Sequence, residues 1–462
     1  MLAGVVAAFG ACAGETAATS AAQILLFVDT DAPMPGGAAG APFALFDRVR
    51  IDLLPPGDAT PTCAGCTNEF ALTTDELTSV HASVGLAPAT GVSGYRARVR
   101  LFVTAFASVS GEPDADSTID TTVALPATLE GTITEITVTL AIADVGTLVG
   151  TPDAPVAPTP GAPSSSAVGT WSGAAIVACV SASRAGEVCI PGGAFWLGTT
   201  VPELPHVVTA LSFRPRLVTL SPYWLGDREV TVAAYRRFST SGPDVWSGST
   251  SGNSWNDWCT FTATPGIMED SPLNCIRWAD ARAYCTSIGA DLPTEAELEH
   301  ASGGLQDHRF VWGEEDPMCG DAVYGDGSGK GYWSFVPTLC TAATATKVPV
   351  PVATSGHGRD VLALADGSLV YDLAGNLEEW ARDLWNAPDE PCWASPGVYT
   401  DPWCQTLSPS EGGLSSVRGA GWLDTGDLLL STSRYGEGPL DGVVGNTVEP
   451  GLGFRCARAD AP

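Results

Sequence analysis

Charge is thin in this chain, and positive charge thinner still. Charged residues make up 16% of the 462, against roughly 25% in an average soluble protein. Lys and Arg number 22 against 52 Asp and Glu, a formal charge of -30. A field of that sign repels nucleic acid and the bare anionic surface of a bilayer. It leaves solubility, or the attraction of cations, as its uses. The five histidines are scattered, and only Cys63 and Cys66 have Cys-x2-Cys spacing, which excludes a structural zinc site built from matched pairs. The apolar run at residues 2–11 is well short of the ~20 residues that span a bilayer.

What is plentiful points elsewhere. Thirteen cysteines fit disulfides in an oxidising compartment better than a reduced cytosol. The run LAGVVAAFGA (2–11) leads straight into Cys12, like the end of a secretory signal before a lipid-modified cysteine. This reading makes residues 1–22 a signal remnant with lipidation at Cys12. It places the protein in the bacterial periplasm, on the outer membrane or at the cell surface, attached by lipid only. Twelve cysteines then remain, an even number. The alternative is a plain apolar N-terminal strand or helix.

With 52 Gly and 35 Pro, the chain favours strands, turns and loops over long helices, and its length allows two domains. QILLFVDT, FDRVRIDLL (46–54), YRARVRLFVTAFA (95–107) and ITEITVTLAIADV (133–145) read as strands. Arg96, Arg98 and Arg100 alternate with apolar residues, a period of two that predicts one wet and one buried face. An all-β sandwich over 23–150 is expected, acting as a surface spacer or adhesive module. The Pro/Ala/Ser stretch 151–170 is expected to be an extended linker. From about Trp171 the composition shifts to frequent Trp and regular Cys, with helices at ADARAYCTSI (279–288) and PTEAELEHA (293–301). Thr294 and the acids Glu295 and Glu297 suit the start of the second helix.

Seven segments of this second part occur in one characteristic order: PGGAFWLGT (191–199), YWLGDREVTVAAYRRF (223–238), SPLNCIRWADARAYC (271–285) with DLPTEAELEHASGG (291–304), FVWGEEDP (310–317), YDLAGNLEEWARDLW (371–385), VRGAGW (417–422) and GLGFRCAR (451–458). Together they resemble the formylglycine-generating (sulfatase-modifying factor) family, whose fold is similar to a much-decorated C-type lectin. The fold class implied is α+β: a β-sandwich-like domain, then a lectin-like domain over 171–462 with little regular secondary structure.

The resemblance implies a bridge between Cys285 and Cys456, which would remove about 4–5 kcal/mol of unfolded-state entropy on the chain-entropy model. Nearest-neighbour pairing of the rest gives Cys63–Cys66, Cys179–Cys189, Cys259–Cys275, Cys319–Cys340 and Cys392–Cys404. The resemblance also implies a calcium held by Asp372, the carbonyls of Gly375 and Leu377, and Glu379, oxygen donors of the kind a hard cation requires. A second calcium position of the family falls on Val323, which has no side-chain oxygen, leaving a shifted site on Asp321 or Asp326.

The family's oxidases hold copper(I) with two thiolates soon after the VRGAGW-like segment, and soft thiolates are what that ion needs. Here residues 417–455 contain no cysteine. Asp424 stands at the first thiolate's position and Ser431 near the second. Gly421 stands where active members usually have Ser, and Glu378 where a Trp lines their pocket. Copper oxidase chemistry is therefore not expected. Asp424, Asp427 and Glu378 could in principle do acid–base work together, but read most simply as solvated surface acids. The leading functional expectation is a non-catalytic module binding a peptide or glycan. The alternatives are an enzyme modifying a partner protein through a different set, such as Asp424, Ser431 and Arg434, or a purely structural unit.

Overall fold

A computed structural model describes residues 22–36, 44–78, 83–199, 214–243, 258–325, 339–340, 349, 351–352, 358–439 and 450–461. Cys12 and Asp326 lie outside them. The chain divides into two compact units: Met1–Ala175 with Pro215–Leu217 and Pro396–Tyr399, and the remainder. Secondary structure is mixed, with many strands and few helices.

Among its described residues the first unit has nine strands: β1 (Gln23–Thr30), β2 (Arg48–Leu54), β3 (Thr67–Ala71), β4 (Ser83–Leu86), β5 (Arg96–Phe102), β6 (Ile119–Ala124), β7 (Ile133–Leu140), β8 (Leu148–Val149) and β9 (Thr159–Pro160). They form two sheets, ordered β4-β1-β7-β9 and β3-β2-β5-β6-β8. Ile24, Leu26 and Val28 of β1 alternate into the core, as do Ala97, Val99 and Leu101 of β5. Period two thus buries one face of each strand.

The other face of β5 is not wet. Arg96 and Arg100 are 8% and 6% exposed. Arg96 donates to the carbonyls of Gly94 and Asp58, Arg100 bonds Asp52 of β2, and Arg98 donates to Asp120 of β6 at 3.0 Å. The alternation was legible, but the partners come from other strands and loops. Residues 151–170 also differ from the linker expected. Thr159–Pro160 pairs with β7, and Ala167 and Gly169 donate backbone N–H groups to Asp29 and the Ala32 carbonyl. The prolines suit an edge position, where no ladder donor is needed.

In the second unit, β10 (Glu187–Ile190), β11 (Tyr223–Gly226) and β18 (Ala457–Ala459) make one sheet in the order β10-β11-β18. A small hairpin joins β12 (Val361–Ala363) to β13 (Leu369–Tyr371). The site is carried by a four-stranded sheet. Its members are β14 (Glu378–Leu384), β15 (Leu414–Arg418), β16 (Arg434–Pro439) and β17 (Leu452–Gly453), in the order β16-β15-β14-β17.

The helices of this unit pack on a core that includes Val232, Tyr235, Leu273, Tyr284, Trp380, Val417 and Phe454. One runs Val232–Phe238 and another Trp278–Ser287. A third, Glu295–Glu299, begins with a capping box in which Thr294 and Glu297 satisfy each other's backbone N–H groups. Glu295, expected only to favour the dipole, is instead fully buried between Arg418 and Arg434.

Disulfides join Cys63–Cys66, Cys179–Cys189, Cys259–Cys275, Cys285–Cys456 and Cys392–Cys404. The Cys340 side chain lies outside the described residues.

Candidate functional site

β14 pairs with β15 so that Trp380 faces Val417, and β15 pairs with β16 so that Val417 faces Tyr435. Glu378, two residues before Trp380, therefore shares a face with Tyr435. Beyond β15 the chain turns at Gly419, whose φ is 76°, and closes a tight loop. Asp424 accepts the Gly421 N–H at 2.7 Å and returns its own N–H to the Gly421 carbonyl at 3.0 Å. Trp422 anchors this loop, its N–H to the Asn376 carbonyl and its indole N–H to the Pro450 carbonyl.

Gly421 is required where it stands. A Cβ there would lie 2.8 Å from the Gly451 carbonyl oxygen and 3.4 Å from Glu378 Cγ. No side chain fits without moving backbone, which accounts for the serine missing at this position.

The loop brings Asp424 to the Glu378 side of the sheet, since Gly421, which donates to Asp424, also lies against Glu378. Both acids are buried, at 7% and 6% exposure. They are not the solvated acids the sequence implied, because the Gly421–Asp424 turn folds them inward. Burial, and then the Asp424 charge, pushes Glu378 well above the usual carboxylate range. Burial also raises Asp424, while Glu378 and the Gly421 N–H pull it back. Glu378 is thus the carboxyl whose protonated form the site favours. Burial and these acids push the Tyr435 hydroxyl up as well. Asp427 stays partly exposed and accepts from Thr425.

Such a group can give or take a proton, but its hard oxygens are poor ligands for copper(I). The alternative trio does not come together. Ser431 donates to the His308 carbonyl at 3.0 Å. Arg434, adjacent to Tyr435 on β16, faces the opposite side of the strand. There it is fully buried, bonded to Glu295 and to the Asn386 carbonyl at 2.9 Å. Glu295 also takes Arg418 at 3.0 Å and the Ser416 hydroxyl at 2.9 Å.

The loop expected to hold calcium carries a different arrangement. Arg455 donates to both oxygens of Glu379, at 2.8 and 2.7 Å, and also to the carbonyls of Tyr371 and Asp372. The Gly375 N–H goes to Asp360 at 2.7 Å, and the Leu377 N–H to Glu229 at 3.0 Å. Asp372 adopts a φ of 58°. Glu379 is thus held by a guanidinium. Among the described residues no three His, Cys, Asp or Glu are grouped to hold a metal. At the second position, Val323 accepts the Asn376 N–H, and Asp321 is bound to Arg359 at 2.8 Å. The bracing acids Asp360 and Glu229 were missed, since each stands alone in sequence and only the fold brings it to the loop.

The fold and these motifs define a sulfatase-modifying-factor type of domain. Residues 176–460 match the sulfatase-modifying factor enzyme 1-like domain, and the chain belongs to that family. The formylglycine-generating enzyme of Streptomyces coelicolor is 27% identical over 315 residues, 60% of this chain and 90% of that protein. An inactive C-alpha-formylglycine-generating enzyme 2 from Bos taurus is 28% identical over 206 residues, 42% of this chain and 52% of that protein. This chain thus spans about half the length of the Bos taurus relative. Among solved structures, PvdO from Pseudomonas aeruginosa aligns with 59% of this chain and 94% of its own, at 20% identity and a TM-score of 0.38.

Proposed function

We propose that this is an exported, lipid-anchored binding protein whose second unit is a pseudoenzyme that holds a peptide or glycan without oxidising it. One observation carries this reading. At the first copper-thiolate position of the family, Asp424 is buried and held by the Gly421 N–H, and residues 417–455 contain no sulfur ligand. The likeness to an inactive relative supports it. Five disulfides among the described residues support export to an oxidising compartment.

The decisive assay supplies copper(I) and a cysteine-containing peptide to the purified protein, and follows oxygen consumption and peptide mass. No oxygen uptake and no aldehyde are expected; catalytic conversion of the thiol would sink the proposal. Anchoring is tested separately, by metabolic labelling with an alkyne fatty acid in an expressing bacterium. Label in the wild type that disappears in Cys12→Ser is the expected outcome, and label retained in that variant argues against it.

A further inference from the structure

A cavity of about 540 Å³ opens on the second unit away from the Glu378–Asp424 pair. Its size is in the range that small ligands occupy. Val230, Ala234, Ala290 and Ala457 give it an apolar wall, and Arg184, Arg228 and Arg237 supply its cations.

The charges there do not cancel evenly. Asp227 is taken by Arg228, through two bonds of 2.8 Å. Glu187 is taken by Arg458 at 2.7 Å, which leaves it only a loose 3.9 Å approach to Arg184. Arg184 itself is steered by the carbonyls of Ile288 and Gly289, at 2.8 and 3.3 Å, which orient its guanidinium without neutralising it. Glu229 turns its carboxylate to Asn376 and the Leu377 N–H. Arg237, in the last turn of Val232–Phe238, is exposed and makes no hydrogen bond or ion pair with any described residue. Arg237 therefore stands at one apolar-walled cavity with no described acid paired to it, and Arg184 with only a distant one, in a chain whose formal charge is -30. Acids outnumber cations so heavily that an arginine left without one calls for its own explanation.

We propose that this cavity binds a small organic carboxylate, with its anionic head between Arg184 and Arg237 and its apolar body against Val230 and Ala234. Arginine suits that head because its planar fork matches a carboxylate in two parallel hydrogen bonds. Tyr284 lines the same cavity.

Benzoate is the probe, with benzamide as its neutral counterpart and inorganic phosphate as a bare anion, titrated by ligand-observed NMR on the full chain. A Kd for benzoate of about 1–10 mM is expected for so small a ligand, with benzamide and phosphate each roughly tenfold weaker or worse. Arg237→Glu should weaken benzoate by about tenfold or more, with Arg237→Lys intermediate. Ala234→Trp, which fills the cavity, should abolish binding. Circular dichroism on Arg237→Glu, a surface change, should match the wild type. Equal binding of benzamide, equal binding of phosphate, indifference to Arg237→Glu in folded protein, or no benzoate saturation by about 50 mM would each overturn the assignment.

Discussion

Glu378 gives the acid pair a measurable signature in pH. Its folded-state pKa lies well above the 4.5 of an ordinary glutamate, so the folded chain holds a proton that the unfolded chain releases. Stability must then fall as pH rises above about 4.5, by up to about 1.4 kcal/mol per unit for one proton, and level off only above the folded-state value. Glu378→Gln removes that titration. Chemical denaturation from pH 5 to 8 should show a shallower decline in this variant, with little difference at pH 5. Parallel curves would mean the proton is not held on Glu378. The resemblance placed Asp424 and Glu378 at the positions of a thiolate and a tryptophan. It did not show that they meet, because Gly421 and the turn it permits decide which way Asp424 points.

The strands β14, β15 and β16 separate two chemistries. One face carries Glu378, Trp380, Val417 and Tyr435, and the other carries Arg418 and Arg434 against the buried carboxylates of Glu295 and Glu299. Arg434→Ala would leave Glu295 buried with a partner removed, and should cost about 3–5 kcal/mol in urea unfolding. A loss under about 1 kcal/mol would mean that Arg418 alone neutralises Glu295. Copper handling should be indifferent to the change, since Arg434 is turned away from Asp424. Helix starts were legible here: Thr294 with Glu297 is a local signal and forms the capping box. The partners of Glu295 were not, because they lie more than 100 residues away on strands whose pairing no local pattern specifies. Arg98 and Arg100 in β5 repeat the lesson. Their spacing announced a strand, while Asp52 and Asp120, from β2 and β6, decided that the arginine face is ion-paired.

At the scale of the whole molecule, order rests on cross-links and long-range pairing as much as on regular elements. The bond between Cys285 and Cys456 closes a separation of 171 residues, worth about 4–5 kcal/mol on the chain-entropy model. Replacing both by Ser should lower the thermal midpoint of the second unit clearly, whereas removing Cys259–Cys275, a separation of 16, should lower it less. A double variant as heat-resistant as the wild type would place the bond outside the stabilising set. The family was readable from seven ordered motifs, since each fixes a short local shape. The cavity lined by Arg184 and Arg237 was not, because its walls come from four separate stretches, within 184–187, 226–237, 284–290 and 456–457.

That same long closure has a biosynthetic consequence. Strand β18 completes the sheet begun by β10 and β11, and Cys456 sits at its threshold, so a growing chain cannot finish this unit until its final segment has emerged. At about 5–20 residues per second, Cys285 waits roughly 10–30 s for its partner. During that wait Cys259 and Cys275 are nearer competitors. Productive maturation therefore favours early oxidation of those two to each other, which removes the thiols nearest to Cys285 from the competition.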